Sequence, residues 1–326
     1  MFSGEIIMKS IGVLTSGGDA PGMNAAVRSV VRSAIANGFK VYGIYDGYNG
    51  LINGNVRELD RGSVSKIINR GGTVIYTARC PEFKTPEGVQ KGVKTCKELG
   101  IDGLVVIGGD GSFRGAADLS AAGIPCVGIP GTIDNDIVCT EYTIGYDTAM
   151  NTVVEMVDKL RDTCNSHNRC SVVEVMGRHC GDLALNAGIA CGATAIIVPE
   201  IPFDFEKDIL EKINDAVNSG KHHYIIMVAE GVGGSLEIAK KIEEVTGIES
   251  RAAILAHVQR GGSPSAKDRI IATKMGDYAV NLLKNGIGNR VLALRSNQIK
   301  DFDIHEALKM KKNIDRQLFD LAVKVG

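Results

Sequence analysis

The sequence predicts an α/β protein in which helices cover both faces of mainly parallel sheets. Short, nearly unbroken apolar runs recur along the chain, and amphipathic helical stretches separate them. Strands that are buried on both faces of a parallel sheet have this unbroken apolar character. Their alternation with helices is typical of βαβ units. The 326 residues suffice for two domains, since a domain takes about 150 residues.

The elements follow from local patterns. The predicted strands are Ile11–Thr15, Lys40–Tyr45, Leu104–Ile107, Cys126–Ile129, Ser171–Val175, Ala195–Val198, Tyr224–Ala229 and Val291–Arg295. Apolar residues at helical spacing predict two of the helices between them, through Ala149, Val153, Met156, Val157 and Leu160, and through Ile209, Ile213 and Val217. No low-complexity linker divides the chain, so we expect it to cross between its domains more than once.

Composition excludes several classes of protein. Lys plus Arg is 37 and Asp plus Glu is 38, so the net charge is −1, without the basic excess that nucleic-acid binding usually requires. A hydrophobic content of 44% is not that of a disordered chain. Glycine is the exception: it accounts for 40 of the 326 residues, or about 12%, whereas its usual share is about 7%. We expect these glycines at particular backbone positions.

The sequence also bears on the compartment. No stretch reaches the roughly 18 apolar residues of a spanning helix, and Met1–Ile7 lacks the basic region and cleavage site of a signal peptide. Met8-Lys9-Ser10 is an alternative start. The 8 cysteines form no C-x-x-C pair, so we expect no zinc site, mostly buried thiols and a reducing, cytoplasmic location.

Six polar, glycine-rich loops each follow a strand. They are Ser16–Gly22, Gly108–Ser112, Pro130–Asp136, Met176–Asp182, Ala229–Ser235 and His257–Pro264. Ligands of open α/β sheets bind at the carboxyl ends of the strands, where helix N-termini attract anions and glycine admits a phosphate. An ordinary βα turn is the alternative for any single loop, but six such loops favour phosphate binding.

The usual nucleotide motifs are absent. There is no G-x-x-x-x-G-K-[ST], and the nearest approach to G-x-G-x-x-G, around Gly109 and Gly111, has Arg114 in its third position. Positive charge must therefore come from arginines, which suit phosphate better than lysines. The candidates lie in a polar turn (Arg79), in glycine loops (Arg178 and Arg260) or immediately before predicted strands (Arg169 and Arg251). Surface ion pairs are the alternative for each.

Three carboxylates are candidates for chemistry. Asp110 lies between glycines and suits Mg²⁺, which prefers one or two carboxylates together with substrate phosphates. Asp134 and Asp136 lie in one loop, as candidates for a general base and for its metal or hydrogen-bond partner. Turn capping is the alternative for this pair, but Gly131-Thr132 and the arginines favour catalysis.

The loop motifs together resemble those of the bacterial ATP-dependent 6-phosphofructokinases. The resemblance runs from Lys9 almost to the C-terminus and is carried by Leu14–Asp19, Gly108–Ser112, Pro130–Asp136, Met176–His179 and His257–Gly262. It implies two Rossmann-like three-layer αβα domains with the active site in the cleft between them. The larger, ATP-binding domain would comprise 1–145 and 259–310. The smaller, fructose 6-phosphate-binding domain would comprise 146–258 and 311–326.

The resemblance implies transfer of the γ-phosphoryl group of ATP to the 1-hydroxyl of fructose 6-phosphate. Asp134 would be the base, Thr132 and Ile133 would belong to its substrate loop, and Asp110 and Asp136 would engage Mg²⁺. The ATP site would comprise Gly18, Arg79, Cys80, Gly109, Asp110, Gly111 and Ser112. Arg79 and Arg178 would stabilise the transferring group. The sugar phosphate would be held by Met176, Gly177, Arg178, Glu230, His257, Val258, Gln259 and Arg260, and from a neighbouring subunit of a homotetramer by Arg169 and Arg251.

Two glycines bear on the phosphoryl donor. Members of the family that use pyrophosphate typically carry Asp in place of Gly111 and Lys in place of Gly131. An Asp side chain there would repel the α-phosphate of a nucleotide. Glycine at both positions therefore favours ATP.

The resemblance extends to an effector site for an ADP or GDP activator or a phosphoenolpyruvate inhibitor. Its candidates are Arg28, Arg32, Arg61, Arg161, Gly192, Lys221, His222 and His223. Thr194 stands where well-known members have Glu, while Ser219 and His222 stand where they have basic residues, so we expect weakened or altered effector binding. An ordinary solvated helix face is the alternative for Arg28 and Arg32.

Three other functions compete with this interpretation. A pyrophosphate-dependent phosphofructokinase would share the fold but not the two glycines. A kinase of the NAD or lipid type also has a G-G-D-G loop, typically with a β-rich second domain, whereas βα alternation continues here past residue 170. A sugar-phosphate-binding module without catalysis would keep the arginines but would not need Asp134 or Asp110.

Overall fold

A computed structural model describes residues 8–326, and the choice of Met1 over Met8 as the start concerns residues outside that range. The strands are β1 (Ser10–Ser16), β2 (Lys40–Ile44), β3 (Val56–Glu58), β4 (Gly103–Gly108), β5 (Cys126–Pro130), β6 (Cys170–Val175), β7 (Ala195–Ile197), β8 (Tyr224–Ala229), β9 (Ser250–Ile254), β10 (Arg290–Arg295) and β11 (Gln298–Asp303).

Helices connect most of these strands. They are α1 (Met23–Ala36), α2 (Gly47–Asn53), α3 (Pro86–Leu99), α4 (Asp110–Ala121), α5 (Tyr146–His167), α6 (Asp182–Ala190), α7 (Glu211–Asn218), α8 (Ser235–Thr246), α9 (Ala266–Lys284), α10 (Ile304–Lys309) and α11 (Arg316–Val325). Two 3₁₀ turns, Pro81–Lys84 and Ala256–Arg260, and a π-helical turn, Glu206–Leu210, supplement them.

The chain divides into two compact units. The first comprises the described part of Met1–Thr132 together with Ile137–Asp147 and Arg260–Lys312. The second comprises Ile133–Asp136, Thr148–Gln259 and Asn313–Gly326. The chain thus passes between the units several times, as the missing linker predicts.

The first unit contains a seven-stranded sheet in the order β11-β10-β5-β4-β1-β2-β3. Its inner pairs are parallel, and the edge strands β11 and β3 are antiparallel to their neighbours. Leu14, Leu104 and Val106 join a buried cluster with α2, α3, α4 and α10. Helices α1 and α9 pack together and contact the sheet. Val13 and Val105, which alternate with the cluster residues along β1 and β4, are buried as well. Side chains alternate between faces along a strand, so both faces are covered.

The second unit contains a four-stranded parallel sheet in the order β7-β8-β6-β9. Val173 and Val175 pack in one cluster with residues of α5, α6 and α11. Cys170 and Val172 pack in another with residues of α7 and α8. The two three-layer units confirm the predicted fold class, and the α/β second unit differs from the β-rich domain of the NAD or lipid kinase alternative.

All eight strands that the sequence predicts with bounds are confirmed, whereas β3 and β11 were not predicted, and β9 was implied only without bounds, by the placement of Arg251 before a strand. They lie at sheet edges and begin with or contain polar residues, so they lack an unbroken apolar run. The placement of Arg251 before a strand is wrong, because this residue lies inside β9.

The predicted helix through Ala149 to Leu160 is confirmed as α5. The second predicted helix begins with the π-helical turn before α7. Ile209 and Ile213 are buried as expected, but Val217 is 46% exposed. The apolar stripe therefore ends one turn earlier than the spacing predicts.

The cysteines behave as small apolar residues. All eight are free; Cys80 is half-buried and the others are buried. Burial raises the pKa of Cys96 and of Cys170 to about 12. None of the helices in residues 8–326 is long and apolar enough to cross a membrane.

Candidate active site

Three glycine-rich loops of the first unit begin side by side. In the parallel sheet Ser16 pairs with Gly108, and Gly108 pairs with Pro130. The amide of Gly131 also donates to the carbonyl of Gly108 (3.0 Å). The register therefore brings the loops after β1, β4 and β5 to one edge of the sheet, where a ligand is expected.

The loop after β4 leads directly into α4. Gly109 precedes the helix and Asp110 lies in its first turn. The hydroxyl of Ser112 donates to the carbonyl of Ser16 (3.0 Å) and so joins this loop to the one after β1. A Cβ atom at Gly109 or Gly111 would meet no atom within 4 Å. The helix N-terminus thus presents open backbone, a favourable surface for an anion.

Arg260 packs onto the loop after β1. Its Nη1 donates to the carbonyl of Asp19 (3.1 Å). A Cβ atom at Gly18 would lie only 2.1 Å from that nitrogen. The guanidinium thus lies directly against Gly18, where it adds positive charge to this edge, and any side chain at this position would displace it.

The segment before Arg79 is fastened to the same loop. Thr15 Oγ1 donates to the carbonyl of Tyr76 (2.7 Å), and Thr77 Oγ1 donates to that of Gly17 (2.8 Å). Arg79 is exposed and Cys80 half-buried two and three residues further on. The predicted nucleotide-site residues of the first unit therefore belong to connected loops.

In the second unit the loops after β6 and β8 are joined by a carboxylate. Val175 pairs with Ala229, and Glu230 Oε1 accepts from the amides of Gly177 (3.2 Å) and Arg178 (2.6 Å). Gly177 has φ +142°, which favours glycine. Glu230 thus fixes the backbone that presents Arg178.

Gln259 connects the loop after β6 to the turn after β9. Its Oε1 accepts from the amide of Met176 (3.2 Å), and its Nε2 donates to the carbonyl of Ala256 (2.8 Å). The side chain is fully buried, so it braces the loop instead of presenting a free amide. His257 and Val258, in the same turn, are exposed.

Asp134 and Arg178 form the central pair of this unit. The Asp134 side chain is 1% exposed, and its Oδ2 lies 3.3 Å from Nε of Arg178. Asp136 Oδ2 lies 4.0 Å from Nη1 of the same guanidinium, whose side chain is 54% exposed. Ile133 is fully buried and supports the loop. A buried carboxylate and an accessible cation thus meet, a suitable arrangement for a base beside an anionic reactant.

Arg169 and Arg251 share one acidic partner that sequence reasoning missed. Glu249 Oε2 lies 2.7 Å from Arg169 Nε, and its Oε1 lies 2.6 Å from Arg251 Nη2. Hydrogen bonds from Arg169 and then Arg251 lower the pKa of Glu249. Positions i and i+2 of an extended chain share a face, which was the available signal, but the bounds of β9 were not predicted.

The predicted effector residues form two cationic groups. In the first unit, burial and the charges of Arg32 and Arg61 lower the pKa of Arg28. In the second unit, burial and the charges of Arg161, Lys221 and His222 lower the pKa of His223. Arg161 donates to the carbonyl of Cys191, beside Gly192. Each group is a concentration of like charge that an anion would relieve.

A metal cage is not evident among residues 8–326, which hold no cluster of three or more His, Cys, Asp or Glu side chains suited to a metal. Asp110 is half exposed and its Oδ2 lies 2.9 Å from Nε of Arg114. An accessible carboxylate next to an anion-binding helix end fits Mg²⁺ that arrives with phosphates, since this ion rarely uses an all-protein cage.

Comparison with known proteins places the chain in a family. A family model described as Phosphofructokinase matches residues 10–283. Proteins from Bacillus velezensis and Bacillus subtilis, both named ATP-dependent 6-phosphofructokinase, are 56% identical over 319 residues, which cover 98% of this chain and 100% of each relative.

Solved structures agree. Phosphofructokinase from Saccharomyces cerevisiae has a TM-score of 0.87 at 36% identity, over 97% of this chain and 48% of the yeast chain, so this chain spans about half of the yeast one. A pyrophosphate-dependent phosphofructokinase from Marinobacter aquaeolei has a TM-score of 0.83 at 21% identity, over 97% of this chain and 92% of that one, and shares the fold. From the extent of these matches, the chain belongs to the phosphofructokinase family.

Proposed function

We propose that this chain transfers the γ-phosphoryl group of ATP to the 1-hydroxyl of fructose 6-phosphate. Its relatives at 56% identity are named ATP-dependent 6-phosphofructokinase and match nearly its whole length. The structural observation that carries the proposal is the buried Asp134 carboxylate 3.3 Å from the accessible Arg178 guanidinium. A binding module without catalysis has no need for this pair.

We assign the two substrates to different units. The first unit binds ATP through its connected loops, with Gly18, Arg79, Cys80 and Gly109–Ser112 as the contacts. The second binds the sugar phosphate through the loops after β6, β8 and β9. Glu230 and Gln259 brace these loops through the bonds described above. The domain limits 1–145 with 259–310, and 146–258 with 311–326, stay a prediction.

The chemistry needs a proton acceptor and positive charge. Asp134 accepts the proton of the attacking hydroxyl, a role typically worth about 10²–10⁴ in rate. Arg178 and Arg79 stabilise charge on the transferring group, and Thr132 leads the chain into the base loop. Phosphoryl transfer depends mostly on such positioning and electrostatics.

Asp110 and Asp136 are the carboxylates that would hold Mg²⁺. The ion would neutralise charge on the phosphates of ATP when bound. The half exposure of Asp110 at the first turn of α4 supports this assignment.

Arg169 and Arg251 bind the 6-phosphate of a neighbouring subunit's substrate in a homotetramer. The proximity of both arginines to Glu249 supports this role, because one phosphate can replace a shared carboxylate partner. The two cationic groups around Arg28 and His223 bind an anionic effector, a nucleoside diphosphate or phosphoenolpyruvate.

Titration at subsaturating fructose 6-phosphate tests the effector proposal. We expect ADP or phosphoenolpyruvate to change the initial rate in the wild type, and Arg161→Ala to reduce the response, because it removes a cation of the second group. Wild-type enzyme that responds to neither compound would contradict the proposal.

A coupled assay with fructose 6-phosphate tests the reaction itself. We expect rapid turnover with ATP and little with pyrophosphate, because Gly111 leaves open space beside the helix end. Binding of both substrates without turnover would instead support the non-catalytic alternative, and efficient use of pyrophosphate would contradict the donor assignment.

A further inference from the structure

Asn135, between the two carboxylates of the base loop, has a constrained backbone. Its φ is 50°, in the left-handed region that costs most residues free energy and that Asn tolerates better than most residues other than glycine. The residue is 3% exposed. A buried side chain in this conformation persists only where its surroundings hold it.

One side chain that holds it is Asp182. Asn135 Nδ2 donates to Asp182 Oδ2 at 2.9 Å. Asp182 is the first residue of α6 and directly follows the loop that contains Arg178. The hydrogen bond therefore joins the base loop to the arginine loop, separately from the ion pair between Asp134 and Arg178.

The arginine loop is itself anchored on both sides of this contact. The Arg178 amide donates to Glu230 (2.6 Å), and the Gly181 amide donates to Oε1 of Glu200 (2.8 Å). Arg178 also has a left-handed backbone, with φ 55°. Because this loop is fixed to its own unit, a bond from Asn135 to its end transmits that fixed position to Asp134.

We propose that the Asn135–Asp182 hydrogen bond sets the position of the Asp134 carboxylate relative to Arg178, with Asp182 as a positioning residue. The inference rests on the proposed function, in which Asp134 is the base. Asp182 acts through Asn135 and need not contact the reacting atoms. Misplacement of a reactive group by about 1 Å is enough to cost roughly 10²-fold in rate.

Two substitutions at Asp182 separate the hydrogen bond from the charge. Asp182→Ala removes the acceptor, and we expect kcat to fall about 10- to 100-fold while the KM for ATP stays within about twofold. Asp182→Asn removes the same charge from the first turn of α6 but keeps a carbonyl acceptor for Asn135, so we expect it to recover most of the lost kcat. Wild-type kcat in Asp182→Ala, or equal losses in both variants, would overturn the proposal.

A reciprocal exchange tests the same bond without relying on alanine. Asn135→Asp places a carboxylate against that of Asp182, so it should lower kcat. In the double variant Asn135→Asp with Asp182→Asn, the amide at position 182 donates to the carboxylate at position 135, so part of the lost kcat should return. No recovery would count against the proposal. Asp134→Ser is assayed in parallel: if it keeps wild-type kcat, the base assignment fails, and if it alone loses activity while Asp182→Ala does not, only the positioning role fails.

Discussion

At Gly111 the missing side chain leaves room for a ligand. A Cβ atom there meets nothing within 4 Å, so Gly111→Asp should fold normally, and a carboxylate near a helix N-terminus is favourable. Because that carboxylate would repel a bound phosphate, we expect the KM for ATP to rise at least about 10-fold, which corresponds to about 1.4 kcal/mol. Steady-state kinetics with varied ATP measures this.

Gly111→Asn is the matched control, since it has the same size without the charge. We expect a clearly smaller rise in KM from it. Equal effects of the two variants would show that bulk, and not charge, excludes the nucleotide.

Gly131 is packed more tightly than the sequence indicated. A Cβ atom there would lie 3.1 Å from Cγ2 of Ile107 and 3.2 Å from Cε of Met23. A side chain at this position would therefore require Ile107 and Met23 to shift by a few tenths of an ångström, whatever its bearing on the donor. The sequence identified the position but not the neighbours that constrain it.

At the scale of the elements, helix α9 is hydrogen-bonded to the segment 142–145, and this segment pairs with the start of the loop after β5. Asp268 is fully buried, and its Oδ1 accepts from the hydroxyl of Tyr142 (2.5 Å) and the amide of Gly145 (2.7 Å). Ile144 in turn donates to Pro130 (2.9 Å) and accepts from Thr132 (3.1 Å). Burial and then the charge of Asp268 raise the pKa of Tyr142 well above its usual value.

Tyr142→Phe should therefore destabilise the first unit. It removes a buried hydrogen bond to a charged group, a loss of about 1.5–3 kcal/mol, measurable as a lower urea midpoint. Tyr278→Phe is the control, because its hydroxyl bonds to Asp301 (2.9 Å) at a half-buried site. Equal losses in the two variants would contradict the importance of burial here.

The strands that the sequence predicted are largely buried ones, because burial of a strand appears in the sequence as an unbroken apolar run. β4 and β8 are buried along their whole length, so every residue is apolar or glycine. The edge strand β11 is half-exposed and carries Gln298, Lys300 and Asp301, and its pairing with β10 depends on a hairpin instead of composition. Burial leaves a signal in the sequence, even at the buried edge strand β7, whereas a partly exposed strand such as β11 does not.

At the scale of the whole molecule, the sequence predicted which loops form the candidate site but not the contacts that orient their side chains. The positions of the loops were predictable, because parallel strands bring their carboxyl ends to one edge. The contacts that orient the side chains were not, since Asn135 and Asp182 lie 47 residues apart and Met176 and Gln259 lie 83 apart. Such pairs follow from tertiary packing, which no local pattern encodes.

The assembly of the protein offers a direct test of the shared site. If Arg251 acts on a neighbouring subunit's substrate, Arg251→Ala and Asp134→Ser each disable a different half of one site. Subunit exchange between these two variants should then restore activity at sites that combine an intact Asp134 with a neighbour's intact Arg251. Mixtures as inactive as the separate variants would contradict the sharing of sites.

The central claim is that Asp134 is the base of an ATP-dependent phosphoryl transfer to fructose 6-phosphate. The most direct measurement is kcat of Asp134→Ser with ATP at saturation, with Asp215→Ser, an exposed residue of α7, as the control. We predict a fall in kcat of at least about 10² for Asp134→Ser and wild-type turnover for the control. Near-normal turnover of Asp134→Ser would contradict the account.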